Sequence, residues 1–187
     1  MVGTRTQQDI AHVVEPEHVE TLDVLGPTIQ VLTKPEADDL WPCVMRGTIP
    51  PGVVIPLHAH ADPETFIVVS GEVEGLALAD EEATWTRIGP GNIFHVPGSA
   101  KHAWRNPTPS PVAMLIVSTS KMARFFQELG VPVRPGTTPA PRSPEALQRF
   151  KETAERYGYW NATPEENARV SISLPPARPQ NHPGTER

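Results

Sequence analysis

Gly52-Val-Val-Ile-Pro-Leu-His58-Ala-His60-Ala-Asp-Pro-Glu64-Thr-Phe-Ile-Val-Val-Ser-Gly71 is the stretch on which the fold turns. Two β-branched runs, Val53–His58 and Thr65–Ser70, flank a tight Asp62-Pro63 connection, a turn signal between two strands. Successive side chains leave a strand on opposite faces, so His58 and His60 share one face while Ala59 points away. Glu64 begins the returning strand and shares its side with Phe66 and Val68. A hairpin of this kind gathers two imidazole nitrogens and one carboxylate, a donor set suited to iron and its divalent neighbours.

A second stretch, Gly91-Asn-Ile-Phe-His-Val-Pro97-Gly-Ser-Ala-Lys-His102-Ala-Trp-Arg-Asn106, has the same build. Gly91 and Pro97 bracket a short strand, a turn reverses the chain, and His102 begins another strand whose Trp104 shares its face.

Around these stretches, β-branched runs separated by Gly, Pro, Asp or Asn continue over Thr28–Thr33, Val44–Ile49, Glu72–Ala79, Thr84–Ile88, Ile93–Val96 and Val112–Thr119. Together with the runs already quoted they make roughly nine strands at about ten-residue spacing, the pattern of an all-β sandwich or barrel. After Ser120 the period changes from two to about 3.6. Met122, Phe125, Phe126 and Leu129 form one stripe and Gly130 the stop, predicting a helix over Ser120–Leu129. Val131–Pro141 reads as a linker. A second helix opens with Ser143 as N-cap and Pro144 at its first position, presents Ala146, Leu147, Phe150, Ala154 and Tyr157, and ends at Gly158. Both helices are expected on the outside of the barrel or across a dimer contact. The chain therefore divides into an N-terminal segment (1–27), a β-barrel (28–120), a C-terminal helical extension (121–173) and a flexible tail (174–187). It shows no internal repeat, so one barrel is expected and not a duplicated one.

The bulk composition narrows the partners. Of 187 residues 23 are proline, which favours short strands over long helices. A net charge of −6 and the absence of any basic run argue against nucleic acid. The longest apolar run, Val112–Val117, is too short to cross a bilayer, so no membrane partner is expected. Met1–Asp9 is polar, with no apolar signal core, and Cys43 is the one cysteine; both fit a cytoplasmic protein. Cys43 itself reads as a small buried hydrophobe.

The two stretches resemble the motifs of the cupin superfamily. The first fits G-x5-H-x-H-x3-E-x6-G at Gly52, His58, His60, Glu64 and Gly71. The second fits G-x5-P-x-G-x2-H-x3-N at Gly91, Pro97, His102 and Asn106, but Ser99 stands where the family has its middle glycine, and Gly98 sits one residue early. The departure bears on the shape of this turn and not on the histidine after it, since the spacing from Pro97 to His102 is intact. Met122–Gly130 is also similar, over a short length, to the helix after the barrel in single-domain quercetinase-like cupins. The resemblance implies an all-β double-stranded β-helix, a jelly-roll-like barrel with two C-terminal α-helices. It also implies one divalent transition metal per chain, held by His58, His60, Glu64 and His102. Such a set in an open pocket suits Fe, Mn, Ni or Co. Zinc also fits, although structural zinc sites favour cysteine and no second cysteine is present.

Met45, Phe66 and Trp104 are candidates for a substrate pocket, with plain barrel core as an equally good reading. His95 is expected on the outer face, and His12, His18 and His182 in solvent. The expected activity is a dioxygenase acting on a small enol, phenolic or flavonol-like molecule, with Glu64 as both ligand and general base. A non-oxidative isomerase, lyase or decarboxylase uses the same ligands, and a non-enzymatic small-molecule-binding cupin is the third reading. A homodimer is expected, since cupins often pair.

Overall fold

The computed structural model describes residues 10–79, 82–134 and 143–173. In chain order these residues form β1 (Leu22–Asp23), β2 (Thr28–Val31), β3 (Pro42–Ile49), β4 (Val54–Ala59), β5 (Glu64–Ser70), β6 (Val73–Ala79), β7 (Glu82–Ile88), β8 (Ile93–Val96), β9 (His102–Arg105) and β10 (Val112–Thr119). There follow α1 (Ser120–Leu129), β11 (Val131–Pro132), α2 (Pro144–Tyr157), β12 (Trp160–Asn161) and α3 (Pro164–Arg169). The nine strands expected from the sequence are β2 to β10, displaced by at most two residues at their ends.

The strands make two antiparallel sheets, ordered β11-β1-β2-β3-β10-β5-β8 and β12-β4-β9-β6-β7. The chain crosses repeatedly from one to the other, and the two sheets face each other in a jelly roll. Strict alternation in β3 buries Cys43, Met45 and Ile49. These residues meet Val112, Met114 and Ile116 of β10 and Phe66 and Val68 of β5 in the main core. The second sheet contributes Val73, Ile88 and Trp104 to the same core.

Helix α1 begins where predicted because the Thr119 hydroxyl accepts from the Met122 amide, satisfying a donor that has no intrahelical partner. Its buried Met122, Ala123, Phe125 and Leu129 extend the main core. Helix α2 begins at Pro144 with Ser143 as its cap, and ends at Gly158. One residue of its expected face is displaced: Leu147 is exposed, and Thr153 is buried beside Ala154. The face in contact with α1 runs through Phe150, Ala154 and Tyr157, and Leu147 falls to one side of it.

Three elements go beyond the expected pair of helices. The first residues of the expected linker form β11, which pairs with β1, while 135–142 lie outside the described residues, as does the tail from 174. Beyond α2, β12 pairs with β4 (Trp160 with Ala59, Asn161 with His58), and a third helix, α3, follows. Asn167 of α3 is fully buried: its Oδ1 accepts from the Leu57 amide at 3.0 Å, and its amide donates to the carbonyls of Ala162 and Thr163. Val170 and Ile172 then cover the outer face of the second sheet at Leu57, Leu76 and Ala103. The C-terminal extension is thus fastened to the strand that carries His58. Among the described residues no helix is long and apolar enough to cross a membrane.

Candidate metal centre

His58 lies near the end of β4, His60 just beyond it, Glu64 opens β5 and His102 opens β9. The Cα atoms of His58 and His102 are direct cross-strand partners, so their rings stand side by side, 4.1 Å between centroids. The alternation that sends Leu57 and Ala103 to the outer cluster sends His58, His60 and His102 inward. One ring nitrogen from each of the three histidines lies within 4.8 Å of the other two. Glu64 Oε2 is 3.1 Å from His60 Nε2 and 3.3 Å from His102 Nε2, and both those pairs are almost wholly buried. His58, His60 and His102 form one group, and Glu64 lies against His60 and His102.

Backbone carbonyls fix which nitrogen faces the centre. His58 Nδ1 meets the Pro56 carbonyl at 2.7 Å, His60 Nδ1 the Asp62 carbonyl at 2.8 Å, and His102 Nδ1 the Ala100 carbonyl at 3.0 Å. A carbonyl only accepts, so each Nδ1 must carry the hydrogen, and each Nε2 of a neutral ring presents a lone pair inward. A carbonyl behind each ring in this way orients histidine for a metal. The cluster is then short of hydrogens. His102 Nε2 is buried with no hydrogen-bond partner, since Glu64, though near, is itself an acceptor. An orphaned buried acceptor of this kind costs about 1–3 kcal/mol unless a cation satisfies it. A divalent ion does so for the three imidazoles together, with the Glu64 carboxylate beside two of them, and these residues fit one.

The electrostatics agree. His58 is pushed down to about 3, first by burial and then by the neighbouring His102 and His60, so its lone pair is free near neutrality. For Glu64 burial is the largest single influence and opposes ionisation, but the imidazoles of His102 and His60 outweigh it and bring the carboxyl down to about 2. For His60 burial again is largest and opposes the cation, yet the hydrogen bond and charge of Glu64 raise its pKa. In the metal-free site a proton on His60 therefore partly fills the role a metal ion would take.

The family model described as a cupin domain, Cupin_2, matches residues 45–118, which contain all four of these side chains. Residues 45–118 are thus a cupin domain. Solved structures agree on the fold. An RmlC-like cupin from Shewanella frigidimarina NCIMB 400 superposes with a TM-score of 0.50 at 19% identity, over 62% of this chain and 96% of that one. The polyketide cyclase RemF from Streptomyces resistomycificus does so with a TM-score of 0.50 at 18% identity, over 59% and 80% respectively. The DMSP lyase DddQ from Ruegeria pomeroyi DSS-3 aligns at 26% identity and a TM-score of 0.38, over 44% of this chain and only 39% of that one. This chain thus spans well under two thirds of that lyase. No curated protein matches the sequence.

The departure from the cupin motif at Ser99 has a clear structural answer. Ser99 itself takes the left-handed conformation, φ 68°, that the family's glycine would adopt without strain, and its amide donates to the His60 carbonyl at 2.6 Å. Gly98 is needed for a different reason, because a Cβ there would collide with the Ala61 carbonyl oxygen. The turn therefore holds its shape against the His60–Asp62 loop. Ser99→Gly is expected to be within about 0.5 kcal/mol of wild type, since relief of strain and added unfolded-state entropy nearly cancel. Ser99→Val, which is branched at Cβ, is expected to cost about 2 kcal/mol. Chemical denaturation of the pair checks both.

The other expected residues fall as follows. Met45, Phe66 and Trp104 are buried in the main core, with the Phe66 and Trp104 rings 4.6 Å apart one strand step below Glu64 and His102. His95 is exposed on the outer face beside Thr65, as expected. Cys43 is buried and donates to the Thr33 carbonyl, and burial pushes its thiol pKa up, which makes it a poor nucleophile. Asn106 uses its side chain structurally, joining the carbonyls of Ile49 and Ser110 and accepting from Thr108. Ala77 is the cross-strand partner of His102, shares its face and is exposed.

The spacing of the motifs gives no sign of Asp62, Thr119 and Tyr159. Asp62 is buried behind His60 and accepts from the hydroxyls of Thr119 and Tyr159, the latter at 3.0 Å. The Tyr159 ring lies 5.2 Å from the His60 ring. Burial, followed by the charge and hydrogen bond of Asp62, pushes the Tyr159 phenol pKa up, so it remains a donor.

Proposed function

We propose that this cupin is a mononuclear metalloenzyme, an oxygenase acting on a small molecule with an enolic or phenolic hydroxyl. The ion is Fe, Mn, Ni or Co, with zinc also compatible, held by His58, His60, Glu64 and His102. The observation that carries this reading is the convergence of three imidazole lone pairs and one carboxylate with a buried nitrogen left without a partner.

Charge suggests the substrate class. A dication with three neutral imidazoles and one carboxylate keeps a net positive charge in a site of low dielectric, which favours an anionic oxygen ligand such as an enolate or phenolate. When bound, the ion supplies Lewis acidity and, if redox-active, a means of activating dioxygen. Four protein ligands leave room for others in a five- or six-coordinate ion. The chain's residues do the rest. His58, His60 and His102 hold the centre through nitrogens whose directions are fixed by backbone carbonyls. Glu64, ionised despite burial, accepts the substrate's hydroxyl proton. Phe66 and Trp104 form an apolar floor beneath the centre.

The test is turnover of a panel of small enols and phenols by protein loaded separately with Fe(II), Mn(II), Co(II) or Ni(II), with and without dioxygen. Oxygen uptake in step with substrate loss is expected. Turnover that continues anaerobically overturns the oxygenase reading in favour of a non-oxidative lyase, isomerase or decarboxylase on the same ligands.

A further inference from the structure

Of the three imidazoles, His60 is oriented differently. The Nδ1 hydrogens of His58 and His102 donate back to carbonyls two residues earlier in the chain, at Pro56 within β4 and at Ala100 in the turn two residues before β9. His60 donates forward, to Asp62 in the loop between β4 and β5, where no strand pairing holds the carbonyl. Side chains hold that loop instead. The Thr119 hydroxyl donates to Asp62 Oδ1, the Tyr159 hydroxyl to Asp62 Oδ2 at 3.0 Å, and the Ser118 hydroxyl to the Pro63 carbonyl at 3.0 Å. Lys121 Nζ, 4.0 Å from Asp62 Oδ2 and 5.3 Å from the Tyr159 ring centre, offsets the buried carboxylate charge. Ser118, Thr119 and Lys121 belong to β10 and α1, but Tyr159 arrives from the C-terminal extension, 97 residues beyond Asp62.

We propose that Tyr159 is a positioning residue of the metal centre: its hydroxyl, acting through Asp62, fixes the loop carbonyl that aims the His60 imidazole. This rests on the metal reading above and adds to it a role for the C-terminal extension. The tyrosine is well placed for that role. It follows Gly158 at the end of α2, it is nearly buried, and its ring packs against Phe125 of α1 at 4.8 Å. Removal of the hydroxyl alone leaves that packing intact, so the positioning effect is separable from the structural one.

The experiment compares wild type with Tyr159→Phe, using Tyr157→Phe as control, because the Tyr157 hydroxyl bonds the exposed Glu128 and not Asp62. In metal-free, ¹⁵N-labelled protein the His60 Nδ1 hydrogen is expected to exchange with solvent about fivefold to tenfold faster in Tyr159→Phe, as suits the loss of one hydrogen bond behind it. Co(II) affinity is expected to fall about tenfold, with a shifted visible absorption band, as for other losses behind a metal-bound histidine. Tyr157→Phe is expected to match wild type in both. Equal His60 exchange in Tyr159→Phe and wild type overturns the proposal, whether or not Co(II) binds. Failure of wild type to bind Co(II) refutes the metal reading alone, and the exchange data still decide the role of Tyr159. Should Tyr159→Phe prove poorly folded, Asp62→Asn, which keeps the main-chain carbonyl, is read by the same exchange measurement with the same expected and overturning results.

Discussion

His102→Ala is expected to leave a folded protein that retains less than a tenth of the wild-type metal content after purification without added metal. The size of the effect follows from the share one ligand carries. Four-ligand transition-metal sites bind with about 10–16 kcal/mol, so one ligand accounts for roughly 3 kcal/mol, more than a hundredfold in affinity. His102 is the sharpest choice because its Nε2 is buried with no hydrogen-bond partner among the described residues. In the metal-free protein its loss removes an unmet acceptor, so the fold should tolerate the change; elemental analysis together with circular dichroism checks both halves. A variant that keeps its full metal content would overturn the proposed ligand set.

Gly98→Ala is expected to be the most damaging single-methyl change in the cluster's surroundings. The added Cβ meets the Ala61 carbonyl oxygen, a backbone atom that can move only if the loop carrying Asp62 moves with it. A forced shift of this kind costs about 3 kcal/mol. For a chain of this length that corresponds to a fall in Tm of roughly 6–12 °C. Because the same loop presents the carbonyl that orients His60, Co(II) affinity should fall alongside stability. A thermal melt indistinguishable from wild type would show that the turn does not press on the loop as described.

These residues also show what the sequence could reveal. His58, His60, Glu64 and His102 are readable because each lies at a strand end or one residue from it and the period of two fixes its face. The β-branched runs between Gly, Pro and Asp placed β2 to β10, and the caps at Ser143 and Gly158 placed α2. The strands of two residues, β1, β11 and β12, fall below the length at which alternation has meaning. Helix α3 is too short for a periodic stripe, although Thr163 and Glu166 form a capping box that marks its start. Tyr159 has no local signature, since its partner is 97 residues away and only the folded chain brings the two together. Ser99 stood out as a departure from the motif, but whether it or Gly98 took up the left-handed turn depended on what lay across from it.

The pairing of β12 with β4 bears on how the protein behaves in a crowded solution. Without it, β4 would be the outermost strand of its sheet, with a row of free amides and carbonyls ready to recruit a strand from another molecule. Trp160 and Asn161 occupy part of that row and leave a border only two residues long, with α3 seated beside it. Molecules clipped ahead of Trp160 would therefore be prone to edge-to-edge association, and any such association would begin at the strand that carries His58.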